Sequence, residues 1–184
     1  MVKWMAQGFL ATIQSILGMQ CLPKLSIYKQ EEGSPMKLTE QEYKKLEEFV
    51  KMAFDFARND DSHSLKIMLE NGLNPNLANH KGDTLLMLAS YHNALSVVDL
   101  LLEYGAEVDK VNDKGHTPLA GVCFKGYVEV AKKLLEKGAN PHGDSILSPI
   151  NTAIMFRRKD ILKLLLAYNT KLSIWQKLGK SLML

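Results

Sequence analysis

This sequence predicts an all-α solenoid of about four helix-turn-helix units joined by hairpin loops, and three observations carry that expectation. Gly72, Gly105 and Gly138 recur every 33 residues. Each follows an apolar run that ends in an acidic residue: Met68-Leu69-Glu70, Leu101-Leu102-Glu103 and Leu134-Leu135-Glu136. At the same offset, Gly82-Asp83-Thr84-Leu85-Leu86 corresponds position by position to Gly115-His116-Thr117-Pro118-Leu119. A unit of this length cannot bury its own apolar face, so neighbours must stack into a continuous core.

Taken along the chain, the first segment is ambiguous. From Trp4 to Pro23 there is no charged residue, and Lys3 precedes the run, an arrangement shared with secretory signals. Gln7, Thr12, Gln14 and Ser15 interrupt it, however, and Met5, Ala6, Phe9, Leu10, Ile13, Ile16 and Leu17 gather on one side at helical spacing, so an amphipathic helix fits better. Residues 1–35 are therefore an N-terminal extension, a signal-like segment or a packing helix; Met36, after the loop-like Gln30 to Pro35, is a candidate natural start. The repeat domain is expected over 36–184.

Its first unit, about 39–78, is divergent. Thr39 and Glu42 form a capping-box signal. Behind it Tyr43, Leu46, Phe49, Val50, Ala53, Phe54 and Ala57 form one apolar face, and Lys44, Lys45, Glu47, Glu48, Lys51 and Asp55 a charged one. The second and third units run over 79–111 and 112–142. Thr84, Thr117 and Ser148 each place a side-chain oxygen where it satisfies free N–H groups of a first helical turn, and Pro118 and Pro149 occupy the first helical position, where a missing N–H costs nothing. Val97, Val98, Leu100 and then Val128, Val130, Ala131 supply the apolar face of each second helix. The repeating glycines after the Leu-Leu pairs end those helices. Asn79-Lys81-Gly82 and Asn112-Lys114-Gly115 supply the turns between units. A shortened fourth unit, about 143–170, begins Ser148-Pro149-Ile150, offset by 31 from the third, and the short stretch Gly143 to Leu147 is the expected irregular junction. Residues 171–184 are expected to form a terminal capping helix through Ile174, Trp175, Leu178 and Leu182; Lys171, Lys177 and Lys180 suit its C-terminal dipole, by about 0.3 to 1 kcal/mol each at best.

The period and residues resemble the ankyrin repeat, with G-x-T-P-L, a second helix ending Leu-Leu, and Gly-Ala as Gly105-Ala106 and Gly138-Ala139. Asn-Pro follows as Asn74-Pro75 and Asn140-Pro141, and the resemblance covers about four-fifths of the chain. It implies an all-α ankyrin-repeat solenoid of about four helix-turn-helix repeats with hairpin loops and terminal capping helices. Compact length, lysine content and the lack of an attached catalytic domain are similar to small bacterial stand-alone ankyrin-repeat proteins. The sequence also departs from the family. Met87, Ala120 and Asn151 stand where a loop-bonding His is frequent, so weaker hydrogen bonding between repeats is expected. Gly121 lies inside a helix where the family has an apolar residue, at a cost of about 0.5 to 1 kcal/mol relative to alanine.

Composition narrows the function classes. With 23 Lys and Arg against 20 Asp and Glu, the formal charge is only +3, so neither nucleic acid nor an anionic membrane is the expected partner. Two cysteines, Cys21 and Cys123, make neither a disulfide framework nor a multi-thiolate zinc site, and suit a reducing cytoplasm; export is the alternative if residues 1–35 are a signal. No run of about 18 apolar residues marks a membrane span. Phosphate-binding loops, dinucleotide fingerprints, zincin helices and serine elbows are absent. Cys123 and His116 could be imagined as a nucleophile pair, but a small buried cysteine is the simpler reading. His63, His80, His92, His116 and His142 show no short metal-ligand spacing, and the methionines read as core filler.

What the resemblance implies is a non-enzymatic protein-binding module, monomeric and without cofactor or metal, that meets another protein on a concave surface. Its pattern places the variable contact positions at His80, Lys81, Asp83, Tyr91 and His92 in the second repeat. In the third they are Asp113, Lys114, His116, Phe124 and Lys125, and in the fourth Met155, Phe156 and Arg157. Tyr91, Phe124 and Phe156, one per repeat, make an aromatic stripe flanked by basic residues, the composition that dominates interface energy; packing between repeats is the competing use for them. An alternative function is that of an accessory protein of a haem enzyme such as catalase, handling haem or supporting oxidative-stress defence, through His80, His92 or His116 with Tyr91 or Met155.

Overall fold

The computed structural model describes residues 40–142 and 147–168. Eight helices occupy these residues: α1 (Glu40–Arg58), α2 (Ser62–Glu70), α3 (Leu85–Tyr91), α4 (Leu95–Glu103), α5 (Pro118–Lys125), α6 (Val128–Glu136), α7 (Pro149–Met155) and α8 (Lys159–Ala167). The first helices of the units, α1, α3, α5 and α7, pack on one another in one layer; the second helices, α2, α4, α6 and α8, form another. Each first helix also packs on its own second helix. The expected N-terminal helix, the capping box at Thr39, the C-terminal capping helix and residues 143–146 of the irregular junction lie outside the described residues.

The helix starts follow the local chemistry. Thr84 accepts a hydrogen bond from the Met87 N–H at 3.1 Å, Thr117 from Ala120 at 3.2 Å and Ser148 from Asn151 at 3.3 Å. Gly72, Gly105 and Gly138 take positive φ at the ends of second helices. Between the layers runs one apolar core that includes Phe49, Leu65, Met68, Leu86, Leu101, Leu119, Leu134, Ile150 and Leu162. Tyr43 departs from the expected apolar face and is exposed. The 19-residue α1 is much longer than the seven-residue α3 on which it packs.

Hydrogen bonds between repeats are carried by residues other than the histidines missing from the family positions. Asp83 Oδ1 accepts from Asn112 Nδ2 at 2.8 Å, and the Asp113 N–H donates to the Lys81 carbonyl at 3.1 Å, tying one hairpin to the next. Asn76 Oδ1 accepts from the Glu107 N–H at 2.7 Å, and one repeat later the Asp109 carboxylate accepts from Asn140 at 3.0 and 3.1 Å. In the second-helix layer, Lys133 Nζ bridges to both oxygens of Asp99 at 2.7 and 2.6 Å.

A recurrent corner joins the two helices of every unit. Asp60, Asn93, Gly126 and Arg157 occupy it, each with positive φ. At the first corner the side chain has a second task. Ala94, the N-cap of α4, has no side-chain oxygen to offer, and Asp60 supplies one from the preceding repeat: Oδ1 accepts from the Val97 N–H at 2.9 Å and Oδ2 from Ser96 Oγ at 3.3 Å. Asp60→Ala is expected to lower stability by about 1 to 2 kcal/mol, the loss of an N-cap, with a further penalty for alanine at φ 57°. Asp60→Asn keeps an acceptor oxygen and tolerates that backbone, so its urea midpoint should stay near wild type; equal losses in the two variants would contradict the capping role.

Candidate functional site

In the first layer α3, α5 and α7 are short, and their C-terminal ends bring one aromatic residue per repeat into register. Tyr91 ends α3, Phe124 is the penultimate residue of α5, and Phe156 caps α7. The Tyr91 and Phe124 rings stack at 6.3 Å with 5° between planes, and Phe124 and Phe156 meet edge to face at 4.6 Å and 90°. Both geometries are favoured by the ring quadrupoles. The column does pack between repeats, as the competing reading held, yet it stays on the surface: Tyr91 is 36%, Phe124 38%, Phe156 42% and the adjacent Met155 56% exposed.

Beside this column lies a pocket of about 380 Å³, lined by Tyr91, His116, Ala120, Gly121, Phe124, Leu147, Thr152, Met155 and Phe156. Gly121 helps to form it by lacking a side chain. A Cβ there would meet only Tyr91 Cδ2, at 3.6 Å among the described residues. That is ordinary van der Waals contact, so Gly121→Ala is expected to raise stability by about 0.5 to 1 kcal/mol while narrowing the pocket. A thermal melt of the variant checks it; destabilisation would mean that the helix cannot accept even a methyl group at this point.

Charge is concentrated at the helix-end side of the column. Lys125 Nζ stands 4.5 Å from the Tyr91 ring centroid, a cation-π contact. His92 meets the same ring edge-on at 5.8 Å. Burial, then the positive charges of Arg58 and Lys125, hold the His92 imidazole below its ordinary pKa. Arg158, which carries no binding signal in the sequence, crosses from the next repeat and donates from Nε at 3.1 Å and Nη2 at 2.8 Å to the Phe124 carbonyl. This bond satisfies a carbonyl at the open end of α5 and fixes Phe124 against the fourth repeat. Gly126 makes room for it: a Cβ at that position, with φ 93°, would lie 3.3 Å from Arg158 Nε.

Of the thirteen contact positions expected from sequence, five converge on the pocket: Tyr91, His116, Phe124, Met155 and Phe156. His92 and Lys125 flank it through Tyr91. His80, Lys81, Asp83, Asp113 and Lys114 stand apart from its lining, in the hairpin loops. Among these, Asp83 is engaged within the fold, accepting from Asn79 at 3.3 Å as well as from Asn112. Arg157 turns the corner after α7 and is exposed. Cys123 is fully buried, and burial pushes its thiol pKa far up, so it stays protonated and inaccessible and the imagined pair with His116 has no thiolate to offer. Among the described residues no group of three His, Cys, Asp or Glu side chains is arranged to hold a metal ion, and no helix is long and apolar enough to cross a membrane.

Comparison with known proteins agrees with the architecture. Residues 53–145, just over half of the chain, match the family described as ankyrin repeats in three copies. An ankyrin repeat protein of Pseudomonas aeruginosa is 56% identical over 54 residues, which are 29% of this chain and 32% of that protein. Among solved structures, the human ASB11 ankyrin repeat domain superposes with a TM-score of 0.59 at 29% identity, over 65% of this chain and 54% of its own. This chain thus spans about a third of the bacterial relative's length and about half of the human domain's.

Proposed function

Because this chain belongs to the ankyrin-repeat family, we propose that it is a non-enzymatic interaction module whose partner protein docks on the first-helix layer, over the column of Tyr91, Phe124 and Phe156. The observation that carries this reading is the combination of order and exposure in the column. Three aromatic rings are held rigidly by one another, by Lys125 and by the Arg158 bond to Phe124, yet more than a third of each remains open to solvent beside a mostly apolar pocket. Preformed aromatic surface of this kind loses little conformational entropy on binding and supplies most of the energy of interfaces. A single solvated monomer gains nothing from such exposure.

Photo-crosslinking tests the location. A benzophenone side chain introduced at Met155, beside the column, should trap a partner in cells of the native host. The same group introduced at Lys132, in the second-helix layer, should trap none. Equal trapping at both positions would place the partner elsewhere.

The alternative of a haem-handling accessory draws on one observation, that His116, Tyr91 and Met155 line the same pocket. Titration with haemin reads it directly. A Soret shift abolished by His116→Ala would favour it, and an unchanged haemin spectrum would dismiss it.

A further inference from the structure

The pocket has two unlike ends. Its lining is mostly apolar, with Phe124, Leu147, Met155 and Phe156 around the space opened by Gly121. Its outer edge at Tyr91 is cationic. Lys125 lies over the ring, and Arg58 and Lys125 both act as positive charges on His92, which meets the ring edge-on and is held toward its neutral form. Arg58 is answered by Asp55 at 2.8 Å. Lys125 is not: among the described residues no carboxylate comes within ion-pair range of it, nor of Arg157 or Arg158 just past Phe156. The acidic residues nearest in sequence, Glu129 and Asp160, belong to the first turns of α6 and α8, in the other layer. An apolar pocket bordered by cations that no described carboxylate pairs complements a ligand that is apolar at one point and anionic a short distance along.

We propose that the partner segment is an acidic peptide that inserts one large apolar side chain into the pocket and sets an Asp or Glu carboxylate against Lys125 at its edge. The inference rests on the docking surface proposed above and adds the chemistry of its occupant. The apolar side chain supplies the buried contact, and the carboxylate fixes its direction along the column, since a charge pair at an interface edge governs orientation and association more than total affinity. A basic segment is disfavoured by the same charges.

Selection of random dodecapeptides displayed on phage against the full chain tests this, with counter-selection on a folded Tyr91→Ala, Phe124→Ala, Phe156→Ala variant. The expected result is enrichment of sequences that pair one Trp, Phe, Leu or Met with an acidic residue within a few positions. Synthetic peptides of the enriched sequence should bind Lys125→Gln several-fold more weakly and Lys125→Glu about tenfold or more weakly than wild type. Exchanging the peptide's acid for Lys should recover affinity for Lys125→Glu, an outcome that general damage to the fold cannot produce. Enriched peptides that require the aromatic column but carry no acid, or are indifferent to Lys125, would overturn the proposed chemistry and leave the docking surface standing. Peptides bound equally by the aromatic variant, or no enrichment at all, would count against both.

Discussion

Gly82→Ala is expected to destabilise the protein by about 3 kcal/mol or more, while Gly115→Ala at the equivalent turn costs about 1 to 2 kcal/mol. The two glycines have the same place in the repeat and nearly the same backbone, φ 74° and 76°. Both substitutions therefore carry the penalty of a left-handed conformation for an L-residue. Only Gly82 adds a collision. Its Cβ would stand 2.7 Å from Asp113 Oδ1, 2.9 Å from the Asp113 nitrogen and 3.1 Å from the Asn112 Cα. Backbone cannot rotate away as a side chain would, so the hairpins must separate, straining the Asp113 to Lys81 and Asn112 to Asp83 hydrogen bonds. At Gly115 nothing among the described residues lies within 4 Å of the added atom. Urea denaturation of the pair measures the difference; equal losses would show that the hairpins are not in contact at this point.

Leu119→Ala is expected to cost about 3 to 5 kcal/mol, the upper part of the range for truncating a buried leucine. Leu119 is fully buried in α5, a helix that packs on α3, α6 and α7. In a stack each repeat is stabilised by its neighbours, so a cavity in the third repeat weakens two interfaces and its surroundings have no other layer from which to collapse inward. Against a total stability of about 5 to 15 kcal/mol, such a loss moves the midpoint of chemical denaturation substantially. Val111, 54% exposed in a hairpin loop, provides the control: Val111→Ala should stay within about 0.5 kcal/mol of wild type. A loss below about 1 kcal/mol for Leu119→Ala would contradict a single continuous core.

The features legible in the sequence are those whose cause is local. Thr84, Thr117 and Ser148 cap the helices that follow them by bonding three residues ahead, and Gly72, Gly105 and Gly138 reverse the chain where they stand, so period and composition were enough to place both. The corners between helices were half legible. Gly126 lies 33 residues after Asn93, and Asn93 33 after Asp60, residue types that tolerate positive φ, but Arg157 at the fourth corner gives no such signal. Contacts made across the stack were not legible. Asp60 caps a helix 37 residues ahead, and Arg158 reaches a carbonyl 34 residues behind. Both depend on how far each repeat is displaced from the last, which is set by the packing of the layers.

The site divides in the same way. Tyr91 and Phe124, 33 residues apart, announced the aromatic column through the period itself. The pocket beside it needed Gly121, Leu147 and Thr152, none of which carries a signal of binding on its own. Gly121 read as a defect in a helix and proves to be the residue that leaves space against Tyr91. Among the hairpin positions taken from the family pattern, Asp83 has its carboxylate engaged by Asn79 and Asn112, a use across the stack that its place in the period does not reveal.

The most direct test of the account is affinity capture from the native host with three baits: wild type, the Tyr91→Ala, Phe124→Ala, Phe156→Ala variant, and a second-helix control, Glu103→Ala with Lys132→Ala, all verified as folded by circular dichroism. A partner should be held by wild type and by the control and lost, by about a hundredfold or more in measured affinity, from the aromatic variant. Retention of the same partner by the aromatic variant would contradict it.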